Sequence, residues 1–300
     1  MKTAIIFGAN GQDGFYLTEL LTSLDVGVIR ISRNNGDIKG DISDYIFVEN
    51  IINKYIPDFI FNFAANSSTN HSLLFDNHSS ISTGTLNLLE AVRKFVPDAK
   101  VFISGSAMQF KNDGNPINEQ TPFESSSCYS AERIYSVYLA RYFREKFKMN
   151  IYIGYLFNHD SPFRRDEHFN QKIIIKIINL QSGENDKLDF GDLSIKKEFG
   201  FAGDFVKAIW KLVNQDDIYE AVIGTGKTYN LGHWVNICFS LMNLDCRNYI
   251  KSENLINVEY KILVSNPYLI NSLGWYPETS IDTLAKMMFD YQKNKYNQNL

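Results

Sequence analysis

Apolar positions in the first half of the chain switch repeatedly between two periods. Lys2 to Phe7 is an apolar run of strand length; glycines follow, and then Tyr16, Leu17, Leu20, Leu21 and Leu24 recur at helical spacing. The unit repeats: Val26 to Ile31 reads as a second strand, Ser43 to Tyr55 as a helix, and Phe59 to Phe63 as a third strand. A helix around Ser82 to Phe95, a strand Lys100 to Ile103, a helix from about Tyr129 to Phe147 and a strand Asn150 to Leu156 continue the series. Strands alternating with helices predict an α/β fold, a Rossmann-type doubly wound parallel sheet with helices on both faces. After residue 157 the rhythm breaks into loops, a short strand Leu188 to Phe190, and helices around Phe169 to Gln181, Ala202 to Val213 and Ile281 to Asn294. The expected division is therefore a dinucleotide-binding domain over 1–157 and a smaller α/β substrate lobe over 158–300, the two interleaved.

Composition narrows the partners more than the fold. Hydrophobic residues make up 44% of the 300 and charged residues 21%, ordinary for a globular protein. The net charge of -4 and the lack of a long basic run give a nucleic acid or an anionic membrane no electrostatic support. Cys128, Cys238 and Cys246 are odd in number and have neither disulfide-like nor metal-ligand spacing, which predicts free thiols, no metal site and a cytoplasmic setting. The apolar start before Gly8 is too short for a signal peptide.

The segment GANGQDG sets Gly8, Gly11 and Gly14 between the first strand and the first helix. Glycines there permit a tight turn and let the backbone approach a pyrophosphate, which would sit on the partial positive charge of the helix N-terminus. Glycine-rich turns also serve plain structure; the position at the first strand favours the dinucleotide. The second strand ends in Ile31, Ser32 and Arg33. A basic residue there favours NADP over NAD, although a solvated loop cation is the ordinary alternative. Asp41, in GDISD, suits the adenine edge.

CYSAER carries the candidate chemistry. Tyr129 and Arg133 are four residues apart on one helix face, where a cation favours the phenolate. Such a phenol can take a proton from a sugar hydroxyl while hydride leaves its carbon for a nicotinamide. The pair alone is better read as one of many tyrosines that happens to precede a surface arginine. Ser104 and Ser106, which follow a strand in ISGSAMQF, add hydroxyls able to bridge substrate and phenol.

With GDISD, NFAANSS, GTLNLLEAVR, NEQTPF, YLFNHDSPFRR, KKEFGFAGDFVKAIW, AVIGTGKTYN and LGWYPETSIDTLAKMM, nearly the whole chain resembles the extended short-chain dehydrogenase/reductases, and among them the GDP-mannose 4,6-dehydratases. The resemblance implies an NADP- or NAD-dependent enzyme acting on a nucleotide sugar, GDP-linked, in polysaccharide synthesis. It assigns Gly8, Gly11, Gln12, Asp13 and Gly14 to the cofactor loop, and Arg33, Asp41, Ile42, Asn62, Ala64 and Ala65 to the rest of the cofactor site. Ser106 and Tyr129 fall on the catalytic hydroxyl residues, and Arg133 on the lysine that also contacts the nicotinamide ribose. Asn158, Arg164 or Arg165, and Lys197 fall where the family holds the nucleotide diphosphate. It also implies a homodimer through the Tyr129 and Ser82 helices, or a homotetramer.

Three departures bear on the reaction. Arginine replaces lysine at Arg133; it keeps the charge but is larger and planar. The glutamate that the family places two residues after the catalytic serine or threonine, as the acid of the dehydration step, counts to Met108. A thioether moves no proton, and no carboxylate follows before Asp113. Between GDIKG and the second strand there is no room for the long cofactor-embracing loop, and Asn248 to Pro267 is short, without the usual diphosphate-gripping arginine. The expectation is hydride transfer at C4 by a dehydratase relative that stops short of dehydration. A true 4,6-dehydratase with another acid, and a non-catalytic subunit that only binds sugar nucleotide and cofactor, stay open.

Overall fold

In the computed structural model, which describes residues 1–180, 188–253 and 260–298, seven parallel strands form one sheet. Strand β1 (Thr3–Phe7) lies inside the sheet and leads through the glycine loop into α1 (Gln12–Ser23). Next come β2 (Gly27–Ser32), a short β3 (Ile38–Lys39), α2 (Tyr45–Tyr55) and β4 (Phe59–Asn62). A short α3 (Leu74–Asn77), a π-helical stretch His78–Thr83 and α4 (Gly84–Phe95) form one continuous helical segment. Then β5 (Lys100–Ser106), α5 (Cys128–Phe147) and β6 (Ile151–Leu156) complete the first half.

The second half contributes β7 (His159–Asp160), α6 (Phe169–Leu180), β8 (Leu188–Phe190), β9 (Lys196–Glu198), β10 (Gly200–Phe201), α7 (Ala202–Val213) and β11 (Glu220–Ile223). Three helices, α8 (Leu231–Ser240), α9 (Tyr268–Ser272) and α10 (Ile281–Gln298), and the strands β12 (Thr228–Asn230) and β13 (Ile250–Glu253) finish the chain. The sheet order is β11-β6-β5-β4-β1-β2-β3. Its edge strand β11 comes from beyond residue 157, so the large sheet draws on both halves of the chain.

Alternation along β1 divides the core. Ile5 and Phe7 face α2, α4 and α5, packing among Val48, Ile52, Leu88, Val92 and Val137. Ala4 and Ile6 face α1 and α7, packing among Leu17, Leu21, Phe205 and Ile209. Both faces of the strand are covered, which is why a central parallel strand reads as a continuous apolar run. A third cluster, with Ile174, Ile177, Trp234, Phe239, Leu284 and Met288, holds α6, α8 and α10 together as the smaller lobe.

Helix starts follow local chemistry. Asp44 Oδ1 accepts from Phe47 N at 3.1 Å to cap α2, and Ser127 Oγ accepts from Ser130 N at 3.2 Å to cap α5. The periodicity missed β3, the edge strand β11, α8, α9 and most short strands of the second half, and it placed the start of the α4 helix two residues early, within the π-helical stretch. The three cysteines are unpaired. Among the described residues no helix is long and apolar enough to cross a membrane. The predicted end of α6 at Gln181 and part of the Asn248 to Pro267 segment lie outside the described residues.

Candidate active site

Strands β1 and β4 are neighbours, yet their chain connections run to opposite sides of the sheet, which leaves a crevice at their carboxyl ends. Two cavities open there and share Phe63 and Ala65 as a common wall. A larger hollow of about 440 Å³ at the amino ends of the strands, lined by Lys2, Asp58 and Lys100, is remote from these residues.

The first cavity is built on the glycine loop. Gly8 has φ of +80°, and a β-carbon there would lie 2.7 Å from the Phe63 carbonyl carbon; at Gly14 it would lie 2.6 Å from Ala9 Cα. Both positions thus exclude a side chain. Gly11 is the N-cap of α1 and offers no side-chain cap to the N–H groups of the first turn. Bare N–H groups at a helix start suit a pyrophosphate, so the loop fits a dinucleotide. Gly8, Gly11, Arg33, Asp41, Ile42, Ala64 and Ala65 line this cavity, with Asn34 beside Arg33. Arg33 is exposed, and Asp41 Oδ1 accepts from Ser43 N at 2.9 Å and Ser43 Oγ at 2.8 Å, which shapes the turn into α2.

Arg165 also lines the first cavity, and its Nη1 lies 3.5 Å from Asn66 Oδ1. The motif could not separate it from Arg164, and the loop after β7 sends the two opposite ways. Asn62 and Gln12 are on neither wall. Asn62 is buried, accepting from Ala64 N at 3.1 Å through Oδ1 and from Ser104 Oγ at 2.9 Å through its carbonyl. Gln12 is buried too: its Nε2 donates to the His159 carbonyl at 3.1 Å and its Oε1 accepts from Ser161 Oγ at 3.0 Å. It is a strut between α1 and the second lobe.

The second cavity gathers Asp13, Ser104, Ser106, Tyr129, Arg133, Asn158, His159 and Arg164 around its wall. Helix α5 delivers Tyr129 and Arg133, each 7% exposed. Arg133 Nε donates to Tyr129 Oη at 3.2 Å, and its Nη1 donates to the Ser104 carbonyl and, at 2.9 Å, to Ser104 Oγ. The fork of the guanidinium therefore ties the phenol to the end of β5, a geometry that a lysine's single nitrogen does not reproduce. Ser106 Oγ accepts from Met108 N at 3.2 Å, and its own hydroxyl proton stays available to a ligand. Ala107 and Met108 border the same cavity, so this segment brings no carboxylate to it.

A charged group backs the far wall. Arg164 Nε lies 3.2 Å from Asp160 Oδ1, and its Nη2 donates to His168 Nδ1 at 3.1 Å. Burial, with the Arg164 charge, pushes His168 down to about 4, so its imidazole is neutral and accepts. Burial opposes ionisation of Asp160, but Arg164 and Lys197 outweigh it and hold the carboxyl below its ordinary value. Lys197 is not on the wall: its Nζ rests over Phe199 and Phe169, 5.2 and 5.7 Å from the ring centres, and its charge acts on Asp160, Arg164 and His168 behind the wall. Burial pulls the Lys197 ammonium down. Asn158 Oδ1 is buried with no hydrogen-bond partner among the described residues, a polar atom left for a ligand.

Sequence reasoning missed His159. It lies next to Asn158 in a motif quoted for other residues, and no local pattern announces that its ring meets Asp13, 146 positions away.

The family model for GDP-mannose 4,6 dehydratase matches residues 5–288. GDP-mannose 4,6 dehydratase 2 of Arabidopsis thaliana is 28% identical over 96% of this chain and 86% of its own length. The Homo sapiens GDP-mannose 4,6 dehydratase is 30% identical over 79% of this chain and 72% of its own. Among solved structures, dTDP-glucose 4,6-dehydratase of Bacillus anthracis in complex with NAD superposes with a TM-score of 0.86 at 16% identity, covering 99% of this chain and 98% of that one. RMD of Pseudomonas aeruginosa complexed with NADPH gives 0.86 at 15% identity, covering 98% and 100%. At those identities the likeness is one of fold. The match of the family model across nearly the whole chain is what assigns it: the protein belongs to the GDP-mannose 4,6-dehydratase family of NAD(P)-dependent nucleotide-sugar enzymes.

Proposed function

We propose that this protein transfers hydride at C4 of a GDP-linked hexose or heptose, using NADP. One observation carries the reading: Tyr129 Oη, paired with Arg133 at 3.2 Å, lies on a cavity that meets the glycine-loop cavity at Phe63 and Ala65. When bound, the nicotinamide supplies the hydride acceptor. Tyr129 takes the proton of the C4 hydroxyl, and Arg133 holds the phenol oxygen toward the reacting carbon and balances its charge. Ser106 orients the hydroxyl. Asn158 and Arg164, on the opposite wall, hold the diphosphate, while Arg33 and Arg165 flank the cofactor cavity and favour the extra phosphate of NADP. The GDP linkage comes from the names of the matched relatives. The unpaired thiols support a cytoplasmic setting.

Incubating purified protein with GDP-mannose or GDP-manno-heptose, with NADP or NAD, tests the reading by mass spectrometry and cofactor absorbance. The expected result is sugar-dependent hydride exchange, faster with NADP than with NAD. Tight binding of both ligands without any exchange would favour a protein that binds but does not react.

We propose further that the functional unit is a homodimer. Leu86 on α4 and Tyr135, Tyr138 and Tyr142 on α5 are exposed, and the tyrosines, at i, i+3 and i+7, form one stripe that a second copy would cover. Sedimentation of the purified protein should give twice the chain mass, and Tyr138→Glu should give monomer. A wild-type monomer at micromolar concentration would sink this assembly.

A further inference from the structure

The second cavity has one carboxylate among its described lining residues, and it is not on the segment after Ser106. Asp13, in the first turn of α1, borders the cavity from the cofactor-loop side. Its Oδ1 lies 2.8 Å from His159 Nε2, while His159 Nδ1 lies 2.7 Å from the Phe157 carbonyl. Both partners of the ring are acceptors, so the arrangement is satisfied by an imidazolium that donates from both nitrogens. The Phe205 ring stacks on the imidazole at 4.4 Å and holds it in place. Burial works against the charge on His159, but Asp13 and the Phe157 carbonyl outweigh it and raise its affinity for a proton. No described group hydrogen-bonds the other oxygen of Asp13.

We propose that Asp13, positioned by His159, is the proton-transferring carboxylate of this site and takes over the dehydration step for which Met108 offers no acid. The role presupposes a ketone at C4, and so rests on the proposed hydride transfer. With the ketone formed, C5–H is acidified. Asp13 removes that proton, and the C–H electron pair moves into the C4–C5 bond as the enolate of the ketone. The enolate then collapses: the ketone re-forms, a C5=C6 double bond is made, and the C6–O bond breaks. The protonated Asp13 returns its proton to the departing oxygen, which leaves as water. The carboxylate ends as it began, and the sugar has lost one water with no additional oxidant or reductant. His159 is a positioning residue in this scheme, because both of its nitrogens are already engaged. Arg164 and Asp160 are the neighbouring charges that act on His159, and His168 and Lys197 act in turn on Asp160.

Exchange at C5 reads the role without any hydride transfer. Protein with NADP is mixed in D2O with a GDP-linked 4-keto-6-deoxyhexose, and deuterium at C5 is followed by NMR. Wild type should catalyse the exchange, and Asp13→Asn should lower it by about 100-fold or more. If the Asn variant fails to fold, Asp13→Glu decides: moving the carboxylate by one methylene should change the exchange rate at least about tenfold. His159→Gln should alter the pH profile of exchange, which a merely structural contact would not do. No wild-type exchange, or exchange unchanged in the Asp13 variants, would overturn the assignment. A parallel incubation with GDP-mannose keeps the two readings apart. Hydride exchange without C5 exchange would leave the proposed function standing and remove Asp13 from it. C5 exchange without hydride exchange would support Asp13 and overturn the C4 redox reading.

Discussion

Tyr129→Phe is expected to slow hydride transfer by about 10²- to 10⁴-fold, the usual worth of a positioned proton-transfer group. The substitution removes one oxygen from a buried ring and leaves the ring in its packing. Arg133 loses the acceptor for Nε but keeps Ser104 through Nη1, so α5 stays joined to β5. The damage should therefore appear in the chemical step, with folding and cofactor affinity close to wild type. Stopped-flow absorbance of the reduced cofactor, with a fluorescence titration of NADP alongside, separates the two. A rate within tenfold of wild type would remove Tyr129 from the proton transfer.

Gly8→Ala should weaken NADP binding by about 100-fold, the effect of displacing a loop backbone by an ångström or so. Its φ of +80° is strained for any residue with a β-carbon, at a cost of about 1–3 kcal/mol. The new carbon would also lie 2.7 Å from the Phe63 carbonyl carbon and 2.8 Å from Ala64 N. Those are backbone atoms at the end of β4, so rotating a side chain cannot relieve the overlap. Phe63 and Ala65 form the shared wall of both cavities, and the shift should also lower substrate affinity. Gly114 supplies the control: its φ is +89°, but a β-carbon there meets nothing within 4 Å. Gly114→Ala should therefore strain its own turn and leave NADP affinity unchanged. Equal NADP affinities for the two variants in a fluorescence titration would show that the close approach at Gly8 is dispensable.

The departures from the family pattern take on different weights once geometry is available. Arg133 stands where the resemblance implies a lysine, and its fork reaches Tyr129 and Ser104 together, so the phenol is anchored at the end of β5. Met108, the position reached by counting from Ser106, borders the cavity and brings no proton-transferring group to it. Asp13 reaches the same cavity from a different element.

Much of the architecture was legible in order along the chain, because strand and helix periods, caps and the glycine turn are imposed by sterics and hydrogen bonding within a few residues. The Tyr129–Arg133 pair belongs to that class, since four residues of helix suffice to bring the two together. Short pieces escaped: β3 has two residues and β11 four, and α8 went unassigned although it buries Trp234, Val235, Cys238 and Phe239 opposite exposed His233, Asn236 and Ser240. The arrangement of the second lobe around the first was the part that local pattern could not carry. The turn after β7 sends Arg164 to one cavity and Arg165 to the other, Lys197 stays behind Asp160, and Asp13 meets His159 across 146 positions. Periodicity says which face of an element is buried, but not which distant segment covers it. That choice comes from the pairing of β7 with β10 and the packing of α7 on the sheet, where burial is gained only when the whole chain has closed.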